Sequence, residues 1–172
     1  FKTLKKNIKK EFFESEYIDL FSSRFINKDF NRIGGQINGE INSIEVRGTP
    51  KKGAFYGDES LEFIITVIAK KEFLPSIGYA IMSIDGTQIF GTNTLLSNLM
   101  FNKLKGGFIQ KYSIKVKLNL NKGNYFFDFG LDIQSQNILT HDDIFSSVML
   151  INVQNETDVI GVTKFENSIK EI

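Results

Sequence analysis

The chain of 172 residues contains no cysteine, no tryptophan, two prolines and one histidine. The lack of cysteine excludes disulfides, thiolate metal sites and a cysteine nucleophile. No apolar run approaches the roughly 20 residues that a membrane-spanning helix needs. Lysine and arginine number 21 against 20 acidic residues, so the net charge of +1 gives no global field that favours nucleic acid or an anionic membrane. The length fits one domain with a single core.

Nucleotide-binding and catalytic motifs are also missing. The sequence has no GxxxxGK[ST] loop, no GxGxxG loop and no GxSxG elbow. The single histidine, His141, belongs to the run THDD, residues 140–143. A calcium loop would need alternating acidic ligands, which are absent, so this run is interpreted as a solvated loop before the next strand. The sequence therefore predicts a chain that is not an enzyme and that binds no cofactor or metal.

The first 25 residues have a different pattern from the rest. Their apolar residues recur at steps of mostly three to five, which predicts one or two amphipathic helices. A connector helix is the simpler interpretation, and a membrane-surface helix is the alternative, weakened by acidic residues after the first ten. Gly34 and Gly35 mark the centre of a linker over 31–38. We therefore predict a helical connector over 1–34, joined to an upstream domain before Phe1, and a β domain over 35–172.

From Gly39 onward the apolar period is two. About eight strands, with turn signals between them and no helices, predict an antiparallel sandwich of two sheets. One irregular step within 41–46 predicts a β-bulge. Asp85 and Gly86 predict a hairpin with a type I′ turn, in which both central residues have positive φ. A short last strand is predicted over 159–165.

The alternating stretches 112–120 and 125–133 are predicted to pair as a hairpin. That register would gather charged, amide and aromatic side chains on its outer face, beside an open position at Gly130. They are Lys115, Lys117, Phe126, Asp128, Asp132 and Gln134. One interpretation is a solvated face held by cross-strand pairs such as Lys117–Asp128. The other is a carbohydrate-binding face, because aromatic rings pack on sugar C–H groups while carboxylates and amides bind hydroxyls.

Several stretches match the pattern of one known family. They are Gly57–Leu61 (GDESL), Pro75–Gly86 continuing into Phe90–Thr94 (FGTNT), residues 118–131 (LNLNKGNYFFDFGL) and Gly161. Together they resemble the C-terminal carbohydrate-binding domain of Wzt-type ATP-binding subunits, which belong to ABC transporters that export O-antigen polysaccharide. The resemblance covers Gly39 to Phe165. Lys122 stands where that family usually has proline.

The resemblance implies an immunoglobulin-like β-sandwich on the cytoplasmic side of the bacterial inner membrane. It also implies a homodimer with an exchanged last strand, an upstream ATPase domain joined to a membrane transporter, and binding of the exported glycan, often at its non-reducing end. Asp85, Gly86, Gly91 and Asn93 are interpreted as structural, holding the hairpin and its loop. Two alternatives stay open: a module that only pairs ATPase subunits, and a glycan-binding module attached to a glycan-modifying enzyme.

Overall fold

The computed structural model describes residues 29–47, 55–56, 59–135, 138–154 and 167–172. These residues form ten strands and no helix: β1 (Asn31–Ile33), β2 (Gly39–Arg47), β3 (Phe55–Tyr56), β4 (Ser60–Ala69), β5 (Pro75–Ser83), β6 (Gln88–Asn93), β7 (Ile109–Lys117), β8 (Gly123–Ser135), β9 (Ile138–Gln154) and β10 (Asn167–Glu171). Sheet A has the order β1-β9-β8-β5-β6, with β3 also paired to β9, and sheet B has the order β10-β7-β4-β2. All pairings except β3–β9 are antiparallel, so the predicted two-sheet all-β architecture is confirmed.

The core lies between the two sheets and is rich in phenylalanine. Phe63 of β4 places its ring centroid 5.1 Å from that of Phe127 and 4.8 Å from that of Phe129, both on β8. All three side chains are at most 1% exposed. Because side chains alternate along a strand, these contacts fix which face of each strand points inward. The residues between them therefore lie on the outer faces.

Local features near the first strands follow the sequence pattern closely. The predicted bulge in β2 is confirmed, because the β2–β4 register shifts between Ile41 and Ser43. The hairpin joining β5 to β6 is also confirmed. Its turn is not type I′, since Gly86 has a φ of 85° while Asp85 has no positive φ. The amide of Gly86 donates to the carbonyl of Ser83, which makes a three-residue loop with glycine in the left-handed position.

The predicted hairpin between 112–120 and 125–133 is wrong. Strand β7 pairs with β4 and β10, whereas β8 pairs with β5 and β9, so the two strands belong to opposite sheets. The connection between them carries Leu118 and Leu120, which are buried in the core. Two strands with the same alternation bury their apolar faces equally well side by side or across the core. The alternation alone therefore did not distinguish the two arrangements.

The chain ends also differ from the sequence prediction. Residues 31–33, predicted as linker, form edge strand β1 against β9. Strand β10, which the sequence did not predict, pairs with β7 and places Ile169 in the core. The predicted helices over 1–25 and the predicted strand over 159–165 lie outside the described residues.

The run THDD is part of β9 and not a solvated loop, because both of its aspartates are buried. The carboxylate of Asp142 accepts hydrogen bonds from three successive backbone amides, those of Ile37 at 3.0 Å, Asn38 at 2.9 Å and Gly39 at 2.6 Å. These amides belong to the segment that enters β2. Asp142 thus supplies the partners that the backbone of this segment needs when it is taken out of water.

Asp143 holds the neighbouring part of the same segment. Its side chain is fully buried and accepts two hydrogen bonds from Arg32, at 2.9 Å from Nε and 2.7 Å from Nη2, and one from the amide of Ile41 at 2.7 Å. Ile41 lies in sheet B, whereas Asp143 and Arg32 lie in sheet A. We refer to Asp142 and Asp143 together as the aspartate clamp, since they join the two sheets at one edge.

Substituting Asp143→Ala should destabilise the fold by about 3–5 kcal/mol, because it leaves Arg32 and the buried amide of Ile41 without their partner. Denaturant unfolding measures the change. Glu72→Ala is the control, since it removes an exposed carboxylate 3.8 Å from Lys103 and should change the free energy of unfolding by less than about 1 kcal/mol. A loss no larger than that of the control would contradict the structural role of the clamp.

Candidate functional site

The outer face of sheet A contains a run of very small residues across three strands. Gly78 of β5 is paired with Gly130 of β8, and the next outward position, Ala80, is paired with Gly91 of β6. A Cβ atom added at Gly130 would meet no atom within 4 Å. We call this group of four residues the trough. The open part of the trough lies at Gly130, since Gly78 is buried and a Cβ at Gly91 would lie 2.5 Å from Nε2 of Gln88.

An apolar row borders one side of the trough. Met82 of β5 is paired with Phe126 of β8, which is paired with Leu150 of β9. Phe126 and Met82 are half-buried, and Leu150 is 39% exposed. We call these three residues the apolar shelf. An accessible ring edged by aliphatic side chains suits contact with the C–H face of a ligand ring.

Polar groups border the other side. Asp132 of β8 is paired with Ser76 of β5 and with His141 of β9. The Nδ1 atom of His141 lies 2.5 Å from Oδ1 of Asp132, and the His141 side chain is 70% exposed whereas that of Asp132 is 8% exposed. Gln134 follows two residues later on the same face. These side chains offer hydrogen-bonding groups at the rim of the trough.

Asp128 stands in the trough itself, between Phe126 and Gly130. Its Oδ1 accepts a hydrogen bond from the backbone amide of Ser147 at 2.6 Å. Ser147 has a φ of 57°, and it lies in a bulge where β9 changes register between the partners of Phe127 and Phe129. Partial burial raises the pKa of Asp128, and the hydrogen bond from Ser147 offsets part of that rise. A strained residue beside a desolvated carboxylate is a combination that accumulates at functional sites.

The comparison with known proteins agrees with the sequence resemblance. The model of the Wzt C-terminal domain family matches residues 32–165, which is most of the chain. The chain belongs to the Wzt C-terminal domain family. A crystal structure of the C-terminal domain of Wzt matches with a TM-score of 0.72 and 22% identity, covering 84% of this chain and 90% of that one. That likeness shows a shared fold. No curated protein matches the chain.

The structure separates the six residues that sequence reasoning placed on one face of this Wzt-family domain. Phe126, Asp128, Asp132 and Gln134 share the outer face of sheet A. Lys115 and Lys117 lie on the outer face of sheet B, paired with Glu62 and Ser60 of β4. The predicted cross-strand pair Lys117–Asp128 is therefore wrong. The surface around Asp128 has different neighbours from those expected.

Sequence reasoning missed the neighbours of Asp128 that come from other strands. Gly78, Ala80 and Gly91 reach the trough only because β5 lies between β6 and β8. His141 was missed because its run was interpreted as a loop. One signal was present in the sequence: the outward positions of β5 are all small except Met82.

The residues interpreted as structural make local contacts around β6. The carboxylate of Asp85 accepts hydrogen bonds from the hydroxyl of Ser83 and, at 3.0 Å, from the amide of Thr87. These bonds lower the pKa of Asp85. The side chain of Asn93 accepts from the amide of Leu96 at 2.8 Å and so orders the loop after β6. A Cβ at Gly91 would lie 2.5 Å from Nε2 of Gln88.

The described part of the chain lacks both a metal-binding cluster and a membrane-spanning helix. Within residues 29–47, 55–56, 59–135, 138–154 and 167–172, no group of three or more histidine, cysteine, aspartate or glutamate residues could hold a metal ion. The same residues include no helix that is long and apolar enough to cross a bilayer.

The raised pKa of Asp128 predicts that Asp128→Asn will raise the melting temperature at pH 7. Below the unfolded-state pKa, Asp128 is protonated in the folded and the unfolded state, so folding buries no charge. As the pH rises, the unfolded state releases its proton first, so the charged carboxylate destabilises the fold. Asparagine keeps an acceptor for Ser147 but carries no charge, and the stabilisation should fade towards pH 3.

Asp85→Asn is the matched control for this measurement, because the pKa of Asp85 is shifted the other way. Its charged form is stabilised in the fold, so the substitution should lower the melting temperature at pH 7 and have little effect near pH 3. Thermal unfolding followed by circular dichroism at both pH values compares the two variants. A lower melting temperature for Asp128→Asn at pH 7 would show that its carboxylate stabilises the fold.

Proposed function

We propose that this chain is a non-catalytic carbohydrate-binding module of a polysaccharide ABC transporter. Its family is that of the Wzt C-terminal domain, joined in such transporters to an ATPase domain. The proposed ligand is the exported O-antigen-like polysaccharide, including its non-reducing end. The proposed location is the cytoplasmic face of the bacterial inner membrane.

The observation that carries this proposal is the trough with its two borders. Four strands cross this face at about 4.8 Å spacing, so the trough and its borders extend over about 14 Å. The apolar shelf offers a surface for the C–H face of a sugar ring, and Asp128, Gln134 and the Asp132–His141 pair, through its exposed imidazole, offer hydrogen-bonding groups for hydroxyls. This combination of apolar contact and a few placed polar groups is typical of small-molecule sites.

Gly130→Val tests the site directly, because a Cβ at this position would meet no atom within 4 Å, so the added side chain would stand in the open part of the trough. We expect Gly130→Val and Phe126→Ala each to weaken binding of the polysaccharide of the producing organism by about fivefold or more, the effect of losing a central contact. Isothermal titration calorimetry measures affinity, and chemical shifts locate the contact.

Lys115→Val is the control, since it places the same valine on the outer face of the opposite sheet. It should leave the affinity unchanged, and melting temperatures check that all three variants are folded. If wild type and variants show no response to the polysaccharide at millimolar end-group concentration, the module does not bind this glycan. If only Lys115→Val loses binding, the site lies on sheet B.

We also propose that the module forms a homodimer by exchange of its last strand. Strand β10 covers the edge of β7, and Ile169 is buried among the core residues. A terminal strand that follows a long connection can make the same contacts in a second copy at low cost.

Truncation after Val153 should therefore yield a less stable monomer, because it removes β10 and exposes the edge of β7. Light scattering measures the mass and thermal unfolding measures the stability. Deletion of Ile172 alone, a residue 53% exposed that makes two hydrogen bonds to β7, should leave the mass unchanged and lower the stability much less. A dimer of unchanged mass after truncation would contradict strand exchange.

A further inference from the structure

The two sheets differ in their content of basic residues. The six strands of sheet A contain no lysine and a single arginine, Arg32. That arginine is bound to Asp143 at the clamp and stacks over the ring of Phe145, 4.7 Å from its centroid, on the core side. Sheet B carries the basic residues Arg47, Lys111, Lys115, Lys117 and Lys170 on its strands. The strands of sheet A thus contribute no lysine or arginine to its outer face among the described residues.

The charges that this face does carry are negative. Asp128 stands in the trough and Asp132 at its rim. Asp132 has His141 as its partner, and Asp128 has the backbone amide of Ser147. No lysine or arginine among the described residues forms an ion pair with either carboxylate. The trough is therefore a weakly acidic surface that presents hydrogen-bond acceptors.

We infer that the trough selects glycans whose sugars are uncharged or carry amino groups, and that it discriminates against acidic glycans bearing carboxylate or phosphate groups. The inference rests on the proposed function and names the class of polysaccharide that the same site takes. Hydroxyl and ammonium groups share the property that matters here, since both donate hydrogen bonds to carboxylates.

The electrostatic reason is that an acidic sugar would bring a third negative charge beside Asp128 and Asp132 with no arginine or lysine to bind it. Sites that recognise carboxylate or phosphate use arginine, lysine or backbone amides at a helix terminus, and the described strands that form this face offer none of these. Partial burial already disfavours the charge of Asp128. A nearby anion would disfavour the charged form of Asp128 further, whereas a hydrogen-bond donor on the ligand would stabilise it.

The position of the open glycine agrees with this class. The lack of a side chain at Gly130 lets the ring of a sugar approach the backbone of β8, two residues from the Asp128 carboxylate. A bulky charged substituent on that ring would be brought to the same place. The repulsion between an acidic substituent and Asp128 would therefore act at the point of closest contact with the ligand.

The test uses an array of bacterial polysaccharides grouped as neutral, amino-bearing and acidic, probed with the purified chain. We expect retention within the first two groups. The best neutral ligand is then oxidised at its primary hydroxyls to carboxylates, which gives an acidic glycan with the same backbone. Its affinity should fall about tenfold or more, and this gap should narrow as salt is raised, because screening weakens charge repulsion but not a steric clash.

Matched variants tie the effect to the trough. In Asp128→Asn combined with Asp132→Asn, the gap between the neutral ligand and its oxidised form should shrink, whereas Lys115→Gln on sheet B should leave it unchanged. Acidic polysaccharides bound as tightly as neutral ones, with shifts at the amides of Gly130 and Ser147, would overturn the inference while supporting the proposed function. Failure to retain any polysaccharide would overturn the proposed function and the inference with it.

Discussion

The rest of the structure depends on the aspartate clamp, two adjacent buried carboxylates in one long strand. Asp142 and Asp143 bind four backbone amides and Arg32, and these groups come from both sheets. Adjacent residues of a regular strand point to opposite faces, so both can turn toward the same segment only because β9 changes register beside Leu131. The clamp thereby fixes one edge of the sandwich, where the chain enters β1 and β2.

With that edge fixed, the two outer faces take different chemical characters. The face of sheet B carries lysine and glutamate in neighbouring pairs such as Lys115 and Glu62 at one end, whereas Ile64 and Thr66 on the same face are buried. The face of sheet A has glycine and alanine in its centre, the apolar shelf on one side and polar side chains on the other. Strand β9 contributes both to the clamp and to the candidate site. Its residues Asp142 and Asp143 hold the edge of the sandwich, and the adjacent His141 contacts Asp132 on the outer face of sheet A.

Asp128 and Ser147 show how the candidate site and the stability of the domain oppose each other. The bulge at Ser147 places a non-glycine residue in the left-handed region, and the carboxylate that accepts its amide is partly desolvated. Neither feature favours the folded state, so the well-packed phenylalanine core must offset both. Such local cost is typical of positions kept for binding rather than for packing.

The sequence alone determined the class of fold, the bulge in β2 and the hairpin at Gly86, because these depend on alternation and local turn chemistry. It also identified the family, and four of six candidate site residues lie on one face. It could not assign β7 and β8 to opposite sheets, since alternation is the same whether apolar faces meet within a sheet or across a core. It could not place Gly78, Gly91 and His141 on the same face as Asp128 either. Those neighbours come from strands far apart in the chain, and only their pairing in the tertiary structure decided which side chains share the trough.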